Sequence, residues 1–200
     1  MPDGVTLKVL HPQDAEFTAR IPALAALRIT VFREFPYLYD GSLAYEEKYL
    51  ATYRECATSI VALALDGDQV VGASTALPLS AETANLKNAF AGQPYVLAEI
   101  FYCGESILLP AYRGRGVYRE FFTARERHAR VLGGYKWMAL CAVARPSTHP
   151  RRPPDYVPLD AIWQKFGYTQ QSDLRATFEW QDLDETSPSP KEMVFWLKPL

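Results

Sequence analysis

The sequence predicts one α+β domain, residues 1–200, in which a mixed sheet carries helices packed on it. Three observations point there. Asp66-Gly67-Asp68 joins two apolar runs, Ile60–Leu65 and Gln69–Leu77, and is a strong hairpin signal. A long apolar run ends at Leu108-Leu109-Pro110 and passes through Arg113-Gly114-Arg115-Gly116 into the helical pattern Val117–Leu132. Two further apolar runs, Thr169–Trp180 and Met193–Leu197, flank the polar stretch Gln181–Lys191 near the C-terminus.

In chain order, Thr6–Leu10 alternates like a short strand. Ala23–Phe35 is helical by the spacing of Leu24, Leu27, Val31 and Phe35, with Pro22 at a helix start. A turn at Pro36–Gly41 leads to a helix over Ser42–Tyr53, and the hairpin follows. Ser80–Phe90 reads as a short helix or an ordered loop. Tyr95–Leu109 is a long strand interrupted at Gly104, where a bulge is expected. The helix Val117–Leu132 is closed by Gly133-Gly134, Trp137–Val143 is a buried strand, and Ala144–Pro158 is a proline-rich loop. Leu159–Phe166 is a short helix ended by Gly167, before the last two strands. The order is β-α-α-β-β-β-α-β-α-β-β.

A chain of 200 residues with 48% hydrophobic and 22% charged content suits a single folded domain with a real core. No apolar run approaches the ~20 residues of a membrane span, and Met-Pro-Asp-Gly lacks the basic start and apolar core of a signal peptide. Cys56, Cys103 and Cys141 are an odd count in apolar contexts, which reads as buried free thiols and a reducing, cytoplasmic location. The three histidines are far apart and offer no metal-ligand spacing, so no metal is expected.

The net charge of −2 is unevenly spread: Ala111–Arg152 carries +8 and the remainder −10. A protein that binds nucleic acid or membrane over its whole surface would not divide its charge this way. A basic block beside a glycine turn suits a compact polyanion. The Arg-Gly turn makes an anion site, because the first N–H groups of a helix lack partners and its dipole end is positive. Glycines let the backbone approach a phosphate, and arginines add charge and bidentate geometry.

These residues resemble the GNAT N-acetyltransferase superfamily. Its first signature, (Gln/Arg)-x-x-Gly-x-(Gly/Ala), lies between the fourth strand and the third helix, and Arg113 to Val117 match it after a Pro-x-Tyr lead. Its second, an aromatic followed by Glu/Gln-Lys-x-Gly-(Phe/Tyr), is similar to Trp163-Gln164-Lys165-Phe166-Gly167-Tyr168. The resemblance implies a mixed, mostly antiparallel sheet of about seven strands, splayed between strands four and five and flanked by about four helices. It implies acetyl-CoA as cofactor. Arg113, Gly114, Arg115, Gly116, Val117 and Tyr118 would then hold the pyrophosphate, and Ile107, Leu108 and Leu109 would line the pantetheine arm. It also implies acceptor-side helices over 22–54, a cofactor core over 95–143 and a family-specific loop over 144–158, and it allows a homodimer through edge strands.

Three departures stand out. Tyr118 replaces the small residue that ends the first signature. Trp163 stands where many relatives carry a tyrosine that protonates the leaving thiolate. Tyr156, reached through an insertion, occupies the place of an asparagine after strand five.

Acetyl transfer to an amine needs a deprotonated amine, a polarised thioester carbonyl and a proton for the thiolate. Glu105, inside an apolar strand beside the expected bulge, is the first choice of base, and Glu99 is the second. Tyr156 is the best hydroxyl for the acid, with Tyr102 and Tyr168 as alternatives. The prolines of the Arg145–Tyr156 segment hold Arg145, His149 and Arg151 in place to bind an anionic part of the acceptor or the CoA 3′-phosphate. By the resemblance, Tyr37, Tyr39 and Asp40 line the acceptor site. The reading is an N-acetyltransferase acting on a small-molecule amine or the amino group of a peptide, without nucleic-acid or membrane partners. A non-catalytic acyl-CoA-binding module and a nucleotide- or nucleic-acid-binding domain are its rivals.

Overall fold

The computed structural model describes residues 4–200, which contain seven strands and five α-helices in one sheet-centred fold. The sheet order is β1-β2-β3-β4-β5-β7-β6, from β1 (Val5–Leu10), β2 (Ile60–Asp66), β3 (Gln69–Pro78), β4 (Ile100–Leu108), β5 (Trp137–Val143), β6 (Thr169–Trp180) and β7 (Ser189–Pro199). Every neighbouring pair is antiparallel except β4 and β5, which run parallel. The mixed, mostly antiparallel sheet expected from the sequence is therefore the one observed.

The helices cover both faces. β2 is buried along Ile60–Leu65, and its side chains alternate between two layers. Val61, Leu63 and Leu65 join α1 (Ala15–Phe32) and α2 (Leu43–Glu55) in the larger core, while Ile60, Ala62 and Ala64 pack on the side of α4 (Val117–Leu132). Strands buried on both faces read as continuous apolar runs, as this one does. Among the described residues, no helix is long and apolar enough to cross a membrane.

Several boundaries differ from the sequence reading. α1 starts at Ala15, so Pro22 lies inside the helix rather than at its start. Phe17 and Ile21 extend the buried stripe of Leu24 and Arg28 backwards at helical spacing, and that burial outweighs the lost proline N–H. Pro22 itself is exposed, which leaves the carbonyl it cannot bond open to water. Residues 80–90 divide into a 3-10 turn, Leu79–Ala81, and the five-residue α3, Ala84–Asn88. Glu99 lies in a 3-10 turn, Leu97–Glu99, ahead of β4. β7 reaches back to Ser189 and takes up part of the expected polar loop, and α5 spans Asp160–Lys165.

Two features of β4 place the site. Thr75 of β3 faces Glu105 while Ala76 faces Cys103, so Gly104 is an extra, bulged residue. Only glycine fits there, because a Cβ would lie 1.8 Å from the Tyr53 hydroxyl oxygen and 2.9 Å from Thr75 Oγ1. The extra residue also exchanges the two faces. Tyr102 shares the α1 side with Glu105 and Ile107, and Cys103 shares the α4 side with Ser106 and Leu108. Glu99 and Glu105 accordingly lose the shared parity of a regular strand. The second feature is a splay. β4 pairs with β5 only over Ile100–Cys103, whereas it keeps its β3 partner to Leu108, and β5 keeps β7 to Val143.

Candidate active site between the splayed strands

A cavity of about 330 Å³ occupies the gap where β4 and β5 part. Cys103–Ser106 and Leu140–Ala144 form its strand walls. Because the gap passes through the sheet, both helical layers contribute. Phe32, Phe35 and Tyr37 come from the end of α1 and the loop after it, and Tyr118, Arg125 and Trp163 come from α4 and α5. Arg145, Arg152 and Tyr156 of the proline-rich loop complete the wall.

Glu105 sits at the bulge, its side chain 1% exposed, and its Oε2 accepts from Arg28, which also donates to Glu46 Oε2. The Arg28 guanidinium lies 4.4 Å from the Tyr49 ring centre and 5.0 Å from that of Phe32. Glu105 Oε1 and Glu46 Oε1 have no hydrogen-bond partner. The neighbouring Glu82 is buried, and its carboxyl is pushed above the usual range by desolvation, with Glu105 adding to the shift.

On the opposite face Arg125 is 1% exposed, yet forms no ion pair with any described carboxylate. One terminal nitrogen donates to Ser74 Oγ, Ser106 Oγ and the Glu105 carbonyl, while Nε and the other terminal nitrogen have no partner. The guanidinium lies 4.5 Å from the Phe122 ring centre. Tyr118 turns inward, and the Trp163 Nε1–H donates to its hydroxyl at 3.2 Å.

The Arg-Gly turn lies at the α4 end of this site. Gly114 and Gly116 adopt φ of +73° and +85°, a left-handed backbone that favours glycine. The amides of residues 114–116 donate to no protein acceptor and are exposed, and Gly116 caps α4. Arg113 is engaged already, donating to the Leu108 carbonyl at 3.0 Å and pairing with Glu34 at 2.9 Å. Arg115, over the Tyr112 ring, has no carboxylate partner among the described residues.

Of the residues singled out in the sequence, Glu105, Tyr156, Tyr118, Tyr37 and Arg145 meet at the cavity. Arg145 is a strut there, paired with Asp182 at 2.8 Å and donating to the carbonyls of Pro36 and Tyr37. Ile107 and Leu108 are buried in the core and Leu109 is half-buried, while Cys103, Gly104, Glu105 and Ser106 line the cavity. Glu99 pairs with Lys136 at 2.7 Å, away from the cavity. Tyr39 is held in a backbone bridge to Asp182, and Asp40 pairs with Arg33 on the surface. His149 packs 5.7 Å from Phe35 without lining the cavity. Cys141 does line it; desolvation pushes its thiol up to about 12, and Tyr102 Oη lies 2.9 Å from its sulfur.

The sequence reading passed over Arg28, Glu46 and Arg125. Their signal was a charge on an apolar helical stripe: Arg28 between Leu24 and Val31, and Arg125 following Phe121 and Ala124. Arg127 and Arg130 of the same helix are exposed.

No family model matches the sequence, and no curated protein matches it. Solved structures share its fold. The ribosomal-protein-alanine N-acetyltransferase from Brucella melitensis superposes with a TM-score of 0.60 at 15% identity, covering 96% of this chain and 99% of its own. An N-acetyltransferase from Staphylococcus aureus Mu50 gives 0.61 at 11% identity, covering 98% of each chain. A structure from Desulfovibrio desulfuricans assigned to the GNAT acetyltransferase family gives 0.57 at 9% identity, again covering 98% of each.

Proposed function

On the GNAT acetyltransferase fold that this chain adopts, we propose an N-acetyltransferase that moves an acetyl group from acetyl-CoA to a small-molecule amine or the amino group of a peptide. The observation that carries the reading is the continuity of three parts: an unsatisfied, positively charged turn, a strand edge freed by the splay, and a cavity through the sheet with a carboxylate on its wall.

The turn amides of residues 114–116 and the Arg115 guanidinium hold the CoA pyrophosphate. Arg113, tied to Glu34 and Leu108, shapes the turn. The open edge of β4 after Cys103 offers backbone groups to the pantetheine arm, as a neighbouring strand would. On the other side, Phe32, Phe35, Tyr37 and Tyr156, with Arg152, form an aromatic mouth for the acceptor. The Arg152 guanidinium stacks 4.7 Å from the Tyr156 ring centre, which keeps one cation at that mouth. Glu105 takes the amine proton at the bulge, with Oε1 as the unpaired oxygen and Arg28 fixing the other.

The test is thiol release from acetyl-CoA across a panel of small amines and peptides with free N-termini. Acceptor-dependent release supports the reading. Saturable acetyl-CoA binding without release from any acceptor supports the non-catalytic acyl-CoA-binding module instead.

A further inference from the structure

Resting on that reading, we propose that Tyr118 is the proton donor to the departing thiolate, with its hydroxyl set by Trp163 and its surroundings made positive by Arg125.

Tyr118 and Trp163, both on the cavity wall, share a hydrogen bond. An indole N–H can only donate. At 3.2 Å from Trp163 Nε1, the Tyr118 oxygen must therefore accept, which leaves its own hydrogen for another partner. Trp163 is 8% exposed and wedged edge-on against Trp196, with ring centres 5.2 Å apart, so it fixes the hydroxyl. Tyr118 also packs edge-on against Phe122 at 5.1 Å. A hydroxyl anchored at both its ring and its oxygen is preorganised to serve one point in the cavity.

The charge around it is of the right sign. Arg125 is a buried cation on the same wall without a carboxylate partner, and leaving a charge so is costly. Acyl transfer creates a negative sulfur in this gap, and a fixed cation offsets that charge as it appears. The groups facing the Tyr118 oxygen are Trp163 of α5, Arg125 of its own helix, Ser106 and Cys103 of β4 and, across the cavity, Tyr37. Burial raises the Tyr118 hydroxyl above its ordinary value, while Trp163, Arg125 and Ser106 pull it back down. It thus remains protonated at neutral pH. Tyr156, the acid expected from the sequence, stands instead at the mouth beside Phe35 and Arg152.

The neutral amine nitrogen attacks the thioester carbonyl carbon and forms the C–N bond. The C–S bond breaks with its electron pair staying on sulfur, and Tyr118 Oη passes its proton to that sulfur. The nitrogen's surplus proton leaves to Glu105, and solvent exchange returns the proton from Glu105 to the tyrosinate. The products are an amide and a thiol.

The experiment compares wild type with Tyr118→Phe, Trp163→Phe and Tyr156→Phe. Three quantities are read: CoA affinity by calorimetry, the pKa of the bound CoA thiol from its ultraviolet thiolate absorbance, and the pH profile of kcat. In wild type the bound thiol should titrate below free CoA. Tyr118→Phe should keep CoA affinity within about threefold, raise the bound thiol's pKa, lower kcat by about tenfold to a hundredfold and remove the fall of kcat at high pH. Trp163→Phe should shift the same quantities in the same direction by less. An unchanged thiol pKa and kcat in Tyr118→Phe overturns the proposal, as does loss of the high-pH limb in Tyr156→Phe alone. Failure of wild type to bind CoA at all overturns the proposed function, and this inference with it.

Discussion

Arg28, 77 residues ahead of Glu105, reaches from α1 to the bulge of β4 and closes an ion pair with its carboxylate. Both side chains are at most 10% exposed, and Glu46 of α2 joins from the other side of the guanidinium. Two helices and the central strand thus meet at one cation beside the cavity. The geometry depends on Gly104, whose extra residue turns Glu105 toward α1 rather than toward α4.

Arg28→Met removes the cation that pairs with the buried carboxylates of Glu46 and Glu105. It should destabilise the fold by about 3–5 kcal/mol, because uncompensated buried charges are left behind. Urea denaturation at neutral pH measures this; a loss below about 1 kcal/mol would mean that the cluster is solvated.

Glu105→Gln keeps the shape of the side chain and removes its basicity. Acetyl-CoA affinity should stay within about threefold while turnover falls by about a hundredfold. Calorimetry and steady-state kinetics separate the two quantities, and equal turnover would reduce Glu105 to an ion-pair partner.

Glu82 gives the fold a pH signature. Desolvation raises its folded-state pKa above the ordinary value, so the folded state holds the proton more tightly than the unfolded one. The Glu82 contribution to stability is then largest below the ordinary carboxyl range, falls as pH rises through the raised folded value, and is level above it. Glu82→Gln should flatten that fall and leave the variant more stable than wild type at neutral pH. Urea midpoints from about pH 4 to about pH 8 read the difference; parallel curves would contradict it.

Much of this was legible in the sequence. The hairpin at Asp66-Gly67-Asp68, the bulge at Gly104 and the Arg-Gly turn before α4 each depend on short-range backbone chemistry that glycine and its neighbours announce. The start of α1 was not, because tertiary burial of Phe17 and Ile21 overrode Pro22 as a boundary. In the site, Glu105, Tyr118 and Tyr156 were visible as residues out of place in their patterns. Their partners were not, since Arg28 and Arg125 join them only across sequence separations of 77 and 20, and no local spacing encodes such distances. The pairing of Trp163 with Tyr118 was hidden for the same reason, although each was noticed separately as a departure.

Arg115 is the turn's arginine without a carboxylate partner, whereas Arg113 is spent on Glu34 and Leu108. Arg115→Ala should weaken acetyl-CoA binding by about tenfold, the worth of one charge-assisted hydrogen bond. The loss should shrink as salt is raised, because exposed charges are screened. A larger loss from Arg113→Ala at unchanged stability would reverse the two roles.

The central claim is that the Arg-Gly turn and the gap behind it hold an acyl-CoA. Calorimetric titration of acetyl-CoA into wild type and Gly116→Asp tests this most directly, with Gly116→Ala as the control for backbone strain at φ +85°. Wild type should show one saturable site, the alanine variant weakened binding and the aspartate variant none, because its carboxylate faces the pyrophosphate. Absence of binding to wild type, or equal affinity in Gly116→Asp, would contradict it.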